Sequence, residues 1–250
     1  DPDWDAPTFQ LSLHNVNHPL SNFYYHRTKA FHSAGNTRIQ YFEAAYRELK
    51  DHCPENDAYL NNLLVSASLN IGREFQQLHD FKKAALYLSE TIKDFGPKLT
   101  SFPSWGKLYA NYITSLLNLF EYDKALQVLK DLDQQNIDTG YLHYWYSIYW
   151  VMCYVGKRDH EMVKKLLPSC FSDIPLQHRI YFRLLHCFYF YLINDLETAY
   201  REIYNLTHTR LSEEYGNDLK VFIRFIEMIL IQLIKHLCYN KIPEEEKNKI

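Results

Sequence analysis

Glycine and proline are scarce in this chain of 250 residues, which contains 7 Gly and 9 Pro. Both residues mark turns, so their scarcity argues against an all-β fold with many short strands and favours long helices. No proline occurs between Pro103 and Pro168 or between Pro175 and Pro243. These two spans are free to be helical, because proline breaks helix interiors. Glycine-rich loops that cradle phosphates are also missing, which argues against a nucleotide-dependent enzyme.

Cysteine is scarce as well, with 5 copies at wide spacings and no Cys-x-x-Cys pair. An odd number at these spacings predicts neither a disulfide framework nor a structural zinc site. A reducing compartment is the simpler expectation, and we predict a cytoplasmic protein. The chain opens with DPDWDAP, which has no Met and lacks the basic and apolar run of a signal peptide. We therefore expect a processed chain or an excised fragment, and a missing upstream domain is one of two open alternatives.

An excess of one charge is absent too. The 27 Lys and Arg nearly balance the 30 Asp and Glu, which leaves a net charge of −3. A module that binds nucleic acid through bulk positive charge is therefore not expected. The content of 47% hydrophobic and 23% charged residues is typical of a globular protein rather than a disordered one. The length suits one large domain or two small ones.

What the sequence does contain is a repeat with a period near 40 residues. Four short strings consist of an apolar residue, two mostly polar residues and Ala, and a weaker fifth unit lies between the last two. In chain order they are YFEA at 41–44, FKKA at 81–84, YDKA at 122–125, DHEM at 159–162 and LETA at 196–199. Their last residues are 40, 41, 37 and 37 positions apart. Each string follows a helical stretch and a short break, so the period indicates an array of helical hairpins.

The spacing around these strings resembles the tetratricopeptide repeat family and its longer-period relatives. In the third unit, Tyr122, Ala125 and Leu129 stand at that family's Tyr, Ala and large apolar positions. The second and fifth units also match at a small residue of the first helix and at the aromatic position after it. Their residues, in order, are Gly72, Phe75, Phe81, Ala84 and Leu88, and Cys187, Phe190, Leu196, Ala199 and Ile203.

The fourth unit departs from the pattern, since Trp150 stands at the small position and Met162 replaces Ala. The spacing of the strings also exceeds the family's period of about 34 residues. The resemblance implies an all-α fold over residues 21–210, an α-solenoid of about five antiparallel helical hairpins. In such a fold the first helices of the hairpins line a concave groove.

Both ends of the chain differ from the repeat. We predict an extended N-terminal arm over residues 1–20, a hydrophobic capping helix over 211–240 and a solvated tail over 241–250. Within 221–238, 13 of 18 residues are apolar. A membrane span needs about 20 such residues, and Arg224 would cost about 2.5–3.5 kcal/mol at its centre, so no span is expected. The apolar residues occupy more than one stripe. Either two neighbouring elements cover them, or this helix forms a homodimer contact.

Two asparagines occupy equivalent places in the repeat, because Asn70 and Asn111 each lie 14 residues before the Ala of their unit. The tetratricopeptide family often carries Asn there, facing the groove, where the amide can bond a peptide backbone as donor and acceptor. Lys107 and Asn118 lie four residues before and seven after Asn111, on the same helical face. The resemblance implies that Lys107 pairs with a ligand carboxylate. A row of simply solvated side chains is the alternative.

Aromatic residues concentrate in two segments, 141–154 and 180–191, which belong to predicted first helices. Half of these side chains must pack between hairpins. The others either belong to the core as well or form a groove wall that contacts a peptide or small apolar ligand. The candidates for this wall are Tyr144, Tyr181, Phe188 and Tyr191.

The 12 histidines do not form a metal-binding pattern. His14 and His18 are four residues apart but lie in a predicted loop, and His178 and His186 are separated by about 12 Å along a helix. We expect no metal, no cofactor and no catalytic residue. An enzyme that uses His and Tyr as acid and base would need a pocket that no fixed spacing here indicates.

Two classes of function remain. The first is a non-catalytic scaffold that binds a segment of another protein, or a peptide, in the concave groove. The alternative is a regulatory domain of a longer signalling or transcription-regulating protein, in which a groove ligand changes the curvature or the dimerisation of the solenoid.

Overall fold

The computed structural model describes residues 18–52, 57–96, 104–134, 143–168, 174–208 and 235. Within these ranges the regular structure is helical and no strand occurs, which confirms the all-α prediction. The chain forms two compact units, Asp1–Tyr149 and Trp150–Ile250. The described helices are α1 (Pro19–Phe31), α2 (Gly35–His52), α3 (Ala58–Gln77), α4 (Phe81–Phe95), α5 (Trp105–Asn118), α6 (Tyr122–Gln134), α7 (His143–Lys157), α8 (His160–Leu166), α9 (Leu176–Leu192) and α10 (Leu196–His208).

Among the described residues, the same tight turn follows each of α3, α5, α7 and α9. In each turn one residue has a positive φ, and the next residue donates its backbone N–H to the carbonyl five positions earlier. This cap satisfies carbonyl groups that the end of a helix would otherwise leave unpaired. The positive-φ residues are His79, Phe120, Arg158 and Asn194, with φ of 58°, 58°, 57° and 63°. The backbone bonds run from Asp80 to Phe75, Glu121 to Leu116, Asp159 to Tyr154 and Asp195 to Phe190, at 2.8–3.0 Å.

Three of these turns also begin the next helix with an aspartate. The Oδ1 atoms of Asp80, Asp159 and Asp195 accept hydrogen bonds from backbone N–H groups three residues later, at 3.1, 3.1 and 3.2 Å. Aspartate is among the preferred residues at this position because it satisfies an otherwise free N–H group. One helix therefore ends and the next begins within three residues.

The turns correct the predicted register of the fourth sequence repeat, which contains the string at 159–162. In the second, third and fifth sequence repeats, the Ala five residues after the positive-φ residue is fully buried, at 0% exposure. Five residues after Arg158 lies Val163, which is also 0% exposed. Val163, not Met162, is therefore the equivalent of Ala in this unit. The buried Val151, not Trp150, then takes the small position of its first helix.

The first string does not have the same place in its unit as the others. YFEA at 41–44 lies inside α2, whereas the strings at 81–84, 122–125 and 196–199 begin α4, α6 and α10. Ala45 is buried at 1% exposure, and the predicted Ala44 is half-buried. The connection before α2 also differs, because Gly35, with φ of 55°, is itself the first residue of that helix.

Successive helices pack against each other within each of the two compact units. In the first unit α1 contacts α2, and each of α2, α3, α4 and α5 contacts the helix that follows it. In the second unit α9 contacts α10. The small position matters at one such contact, since a Cβ atom on Gly72 of α3 would come within 2.8 Å of the Leu88 side chain of α4.

Next-but-one helices of the first unit are also in contact. Tyr87 of α4 donates a hydrogen bond to Glu43 of α2 at 2.5 Å. Lys50 of α2 forms an ion pair with Asp94 of α4 at 3.3 Å. Both contacts join residues 44 positions apart, so α2 and α4 run parallel.

A second parallel pair is formed by α5 and α7. The hydroxyl of Tyr146 donates to the Gly106 carbonyl at 3.4 Å, and the hydroxyl of Thr114 donates to that of Tyr149 at 3.3 Å. These contacts join residues 40 and 35 positions apart. Direct contact between α3 and α5 completes the pattern. The spacing of these contacts matches the period of the sequence repeat.

Several predictions fall at the ends of the chain. Helix α1 begins at Pro19, two residues before the predicted start of the array, and Nδ1 of His18 accepts a hydrogen bond from the Leu20 N–H at 3.2 Å. Most of the predicted arm, the capping helix apart from the exposed Lys235, the tail and the dimer contact at 221–238 lie outside the described residues. Of the helices that the structure describes, none combines the length and the apolar character needed to cross a membrane.

Candidate functional site

The predicted polar residues Asn70, Lys107, Asn111 and Asn118, called the polar row below, lie on two adjacent helices. Asn70 is half-buried on α3, and the other three residues lie on α5. Their spacings of four and seven residues place Lys107, Asn111 and Asn118 on one face of α5. Lys107 and Asn118 are exposed, and Asn111 is half-buried. The structure thus gathers this part of the predicted site on one accessible helix face.

The amides of the polar row are oriented by their own helix. The Nδ2 group of Asn111 donates to the Lys107 carbonyl at 2.7 Å, and that of Asn118 donates to the Thr114 carbonyl at 2.9 Å. Each bond uses one of the two N–H groups of an amide and leaves its Oδ1 acceptor unengaged by that bond. A ligand would therefore meet side chains that already have a preferred orientation.

Gln76 and Ser115 form hydrogen bonds to the backbone of the polar row at Asn111. The sequence analysis did not single out either residue. Nε2 of Gln76 on α3 donates to the Asn111 carbonyl at 2.7 Å and to the Ser115 hydroxyl at 2.8 Å. The Ser115 side chain is fully buried, and its hydroxyl donates to the same carbonyl at 3.0 Å. This network joins α3 to α5 at the Asn111 carbonyl. A serine four residues after Asn111, amid apolar neighbours, was the available signal.

Thr114 is a third residue that the sequence analysis did not single out. It lies seven residues after Lys107 and so shares the face of the polar row. Its hydroxyl donates to Tyr149 of α7 at 3.3 Å. The spacing alone identifies Thr114. Its partner Tyr149 cannot be predicted from the sequence, because this hydrogen bond depends on how α5 and α7 pack.

The aromatic candidates separate into different environments. Tyr144 is half-buried on α7, in the first unit. In the second unit, Tyr181 and Phe188 lie seven residues apart on one face of α9 and are 38% and 46% exposed. Tyr191 packs instead against the buried cluster of Cys187, Ala199 and Ile203. Tyr191 is half-buried, so part of its ring faces the core and part stays accessible.

The two aromatic segments differ in how deeply their Tyr, Trp and Phe rings are buried. In segment 141–154, Tyr146 is buried at 6% exposure and the other described Tyr and Trp rings are half-buried. In segment 180–191, Phe182 and Tyr189 are buried, Tyr181 and Phe188 are exposed, and the other two rings are half-buried. Exposed rings of these types therefore occur in the second segment and not among the described rings of the first.

His186 of α9 lies close to an ion pair within the second compact unit. Arg183 of α9 and Glu202 of α10 form an ion pair at 3.6 Å, with both side chains less than one-fifth exposed. Burial lowers the pKa of His186, and the negative charge of Glu202 acts in the opposite direction by raising it. Burial also lowers the pKa of His178, a residue only 3% exposed. Across the described ranges, no three His, Cys, Asp or Glu side chains group closely enough to hold a metal ion.

Comparison with family models, with curated proteins and with solved structures finds no match to this chain.

Proposed function

We propose that this chain is a tetratricopeptide-like α-solenoid that binds a segment of another protein without catalysing a reaction. Two features of the described residues support the proposal. The same helix-ending turn recurs four times, at intervals of 41, 38 and 36 residues. Next-but-one helices of the first unit run parallel and contact each other at nearly the same spacing. Stacked helical repeats produce such contacts, because each repeat packs only on its neighbours.

The observation that carries the proposed function is the part of the polar row that lies on α5. Lys107 and Asn118 are exposed at the two ends of this face, with the oriented amide of Asn111 between them. A peptide in extended conformation offers unpaired N–H and carbonyl groups, and an Asn amide can bond both kinds. The Lys107 ammonium adds a charged partner for a carboxylate. We infer that the row binds a peptide backbone next to an acidic side chain or a C-terminal carboxylate.

The second unit offers a contact of different chemistry. Tyr181 and Phe188 expose two aromatic side chains on one face of α9. Exposed aromatic side chains are enriched where proteins bind one another, because they bury a large area with few rotatable bonds. This face suits an apolar segment of the same partner or of another one.

A peptide-display selection followed by affinity measurements tests the function of the polar row. Peptides selected on the wild-type protein should include an acidic residue or a free C-terminal carboxylate. The double variant Lys107→Glu/Asn118→Ala should bind them at least about tenfold more weakly, equivalent to 1.4 kcal/mol. Both side chains are exposed, so the thermal midpoint should change little.

The matched control is Lys130→Glu/Gln127→Ala, which changes two exposed side chains of α6. This control should bind the selected peptides as the wild type does. Peptides that bind both variants equally well would place the interaction elsewhere, for example on Tyr181 and Phe188. A selection that yields no peptide would contradict the proposed function.

A further inference from the structure

A cavity of about 360 Å³ lies where α1 begins, α2 ends and α3 begins. Its volume falls within the range of small-molecule sites, which occupy roughly 300–1,000 Å³. The cavity is separate from the polar row, so its role is independent of peptide binding. The lining residues are His18, Pro19, Leu20, Leu49, His52, Asp57, Tyr59 and Leu60.

The floor of the cavity is apolar. Leu49 is buried at 2% exposure, and Leu20 and Leu60 are half-buried beside the same core cluster. An apolar ligand body would cover the accessible parts of Leu20 and Leu60, which is favourable in proportion to the area removed from water. The floor thus selects a ligand with a hydrocarbon or aromatic portion.

The polar groups at the rim have hydrogen-bonding roles that the structure defines. Nδ1 of His18 accepts a hydrogen bond from the Leu20 N–H at 3.2 Å, so its ring proton is on Nε2. Nδ1 of His52 lies 3.0 Å from the Glu48 carbonyl, which can only accept, so Nδ1 is the donor. The Nε2 atom of a neutral His52 is therefore an acceptor.

Asp57 supplies the charge of the cavity. Its Oδ1 atom accepts from the backbone N–H groups of Tyr59 and Leu60, at 2.9 and 3.0 Å, which fixes the carboxylate at the start of α3. These bonds leave Oδ2 as a charged acceptor. The hydroxyl of Tyr59 is held by a 2.6 Å hydrogen bond to that of Tyr24. An acidic rim above an apolar floor disfavours anions and favours a cation that can donate hydrogen bonds.

We propose that this cavity binds a small amine with an apolar or aromatic body. The protonated amino group donates to the carboxylate of Asp57 and to the Nε2 atom of His52, and the body covers Leu20, Leu49 and Leu60. The Tyr59 ring adds an aromatic surface that attracts cations. The proposal depends on the charge of Asp57 together with the apolar floor, and neither feature alone would select an amine.

Calorimetric titration with three probes of similar size tests this inference. At pH 7.5, 2-phenylethylamine should bind at least about tenfold more tightly than the neutral 2-phenylethanol, because only the amine forms a charge-assisted hydrogen bond. The anionic 3-phenylpropionate should bind most weakly. Equal affinities for the amine and the alcohol, tighter binding of the acid, or no binding of the amine would overturn the proposal.

The variant Asp57→Asn removes the charge and keeps an oxygen that can accept from the helix N–H groups. It should therefore fold normally and lose the preference for the amine over the alcohol. The control is Asp51→Asn, which removes an exposed carboxylate of α2 that does not line the cavity. An unchanged preference in Asp57→Asn, or an equal loss in Asp51→Asn, would show that the cavity charge does not select the ligand.

Discussion

Gly72 shows how one side chain limits the approach of two helices. It lies on α3, and the Leu88 side chain that covers it is fully buried on α4. An added Cβ atom would meet the Cγ, Cδ1 and Cδ2 atoms of Leu88 at 2.8–2.9 Å. These separations are well below ordinary carbon contacts of about 3.5–4.0 Å. The helices are therefore as close as the absence of a side chain allows.

We predict that Gly72→Ala destabilises the protein, although Ala is the better helix former. Replacing Gly by Ala in a helix favours folding by about 0.8–1.0 kcal/mol, whereas overpacking a core costs typically about 1–3 kcal/mol. The net expectation is a loss of about 1 kcal/mol in the free energy of unfolding. Urea-induced unfolding of the two proteins measures it.

The variant Leu88→Ala provides the control for this prediction. It removes the three atoms that would collide with the new Cβ atom. In this background Gly72→Ala should stabilise the protein, because only the gain in helix propensity remains. A double-mutant cycle reports this reversal of sign. Destabilisation of equal size in both backgrounds would mean that the loss does not come from contact with Leu88.

At the scale of the helix and its turn, the sequence predicts the buried alanines but not every register. Ala84, Ala125 and Ala199 could be located because an aromatic or apolar residue precedes each one at fixed spacing. The fourth register could not, since this repeat has Val163 at the position where the others have Ala. With no Ala to align, the prediction placed Met162 there, one residue too early.

The same limit applies to the polar row. The resemblance to a repeat family was sufficient to place Lys107, Asn111 and Asn118 on one helix face. It could not reveal Gln76 as their support, because the hydrogen bond from Gln76 to Ser115 joins α3 to α5 and depends on how these helices pack. Residues on one helix can be predicted from spacing, and contacts between separate helices cannot.

The aspartate that begins α8 permits a prediction at this scale. This helix has only 7 residues, so its first turn is a large part of it. Asp159→Ala removes the hydrogen bond that Met162 N–H donates to Oδ1, and should cost about 1 kcal/mol. Asp159→Asn should cost far less, since Asn caps helices about as well as Asp. Urea-induced unfolding measures both variants.

Asp133→Ala is the matched control for the cap, because Asp133 is an exposed residue near the end of α6. Its effect should remain within about 0.5 kcal/mol, as expected for a surface site. If Asp159→Ala and Asp159→Asn destabilise equally, the charge of Asp159 matters and the hydrogen bond does not.

At the scale of the whole molecule, the two units differ in their buried histidines. His178 and His186, whose pKa values burial lowers from about 6.5, both belong to the second unit. The charge of Glu202 opposes the shift at His186, and that of Arg183 adds to it. The unfolded chain therefore binds more protons at these two sites than the folded chain does, between the lowered pKa values and pH 6.5. In this window the free energy of unfolding decreases as the pH falls.

We predict that acid weakens the second unit before the first. Hydrogen exchange followed by mass spectrometry, corrected for the intrinsic effect of pH, should show reduced protection of α9 and α10 at pH 5.5 relative to pH 7.5. Protection of α3 and α4 should change less.

His186→Gln cannot acquire a charge and should reduce the pH dependence in α9 and α10. His79→Asn, an exposed change at a turn of the first unit that suits a positive φ, should leave that dependence intact. Equal losses of protection in both units would show that the buried histidines do not determine where acid unfolding begins, because titration at α9 can destabilise directly only the unit that contains it.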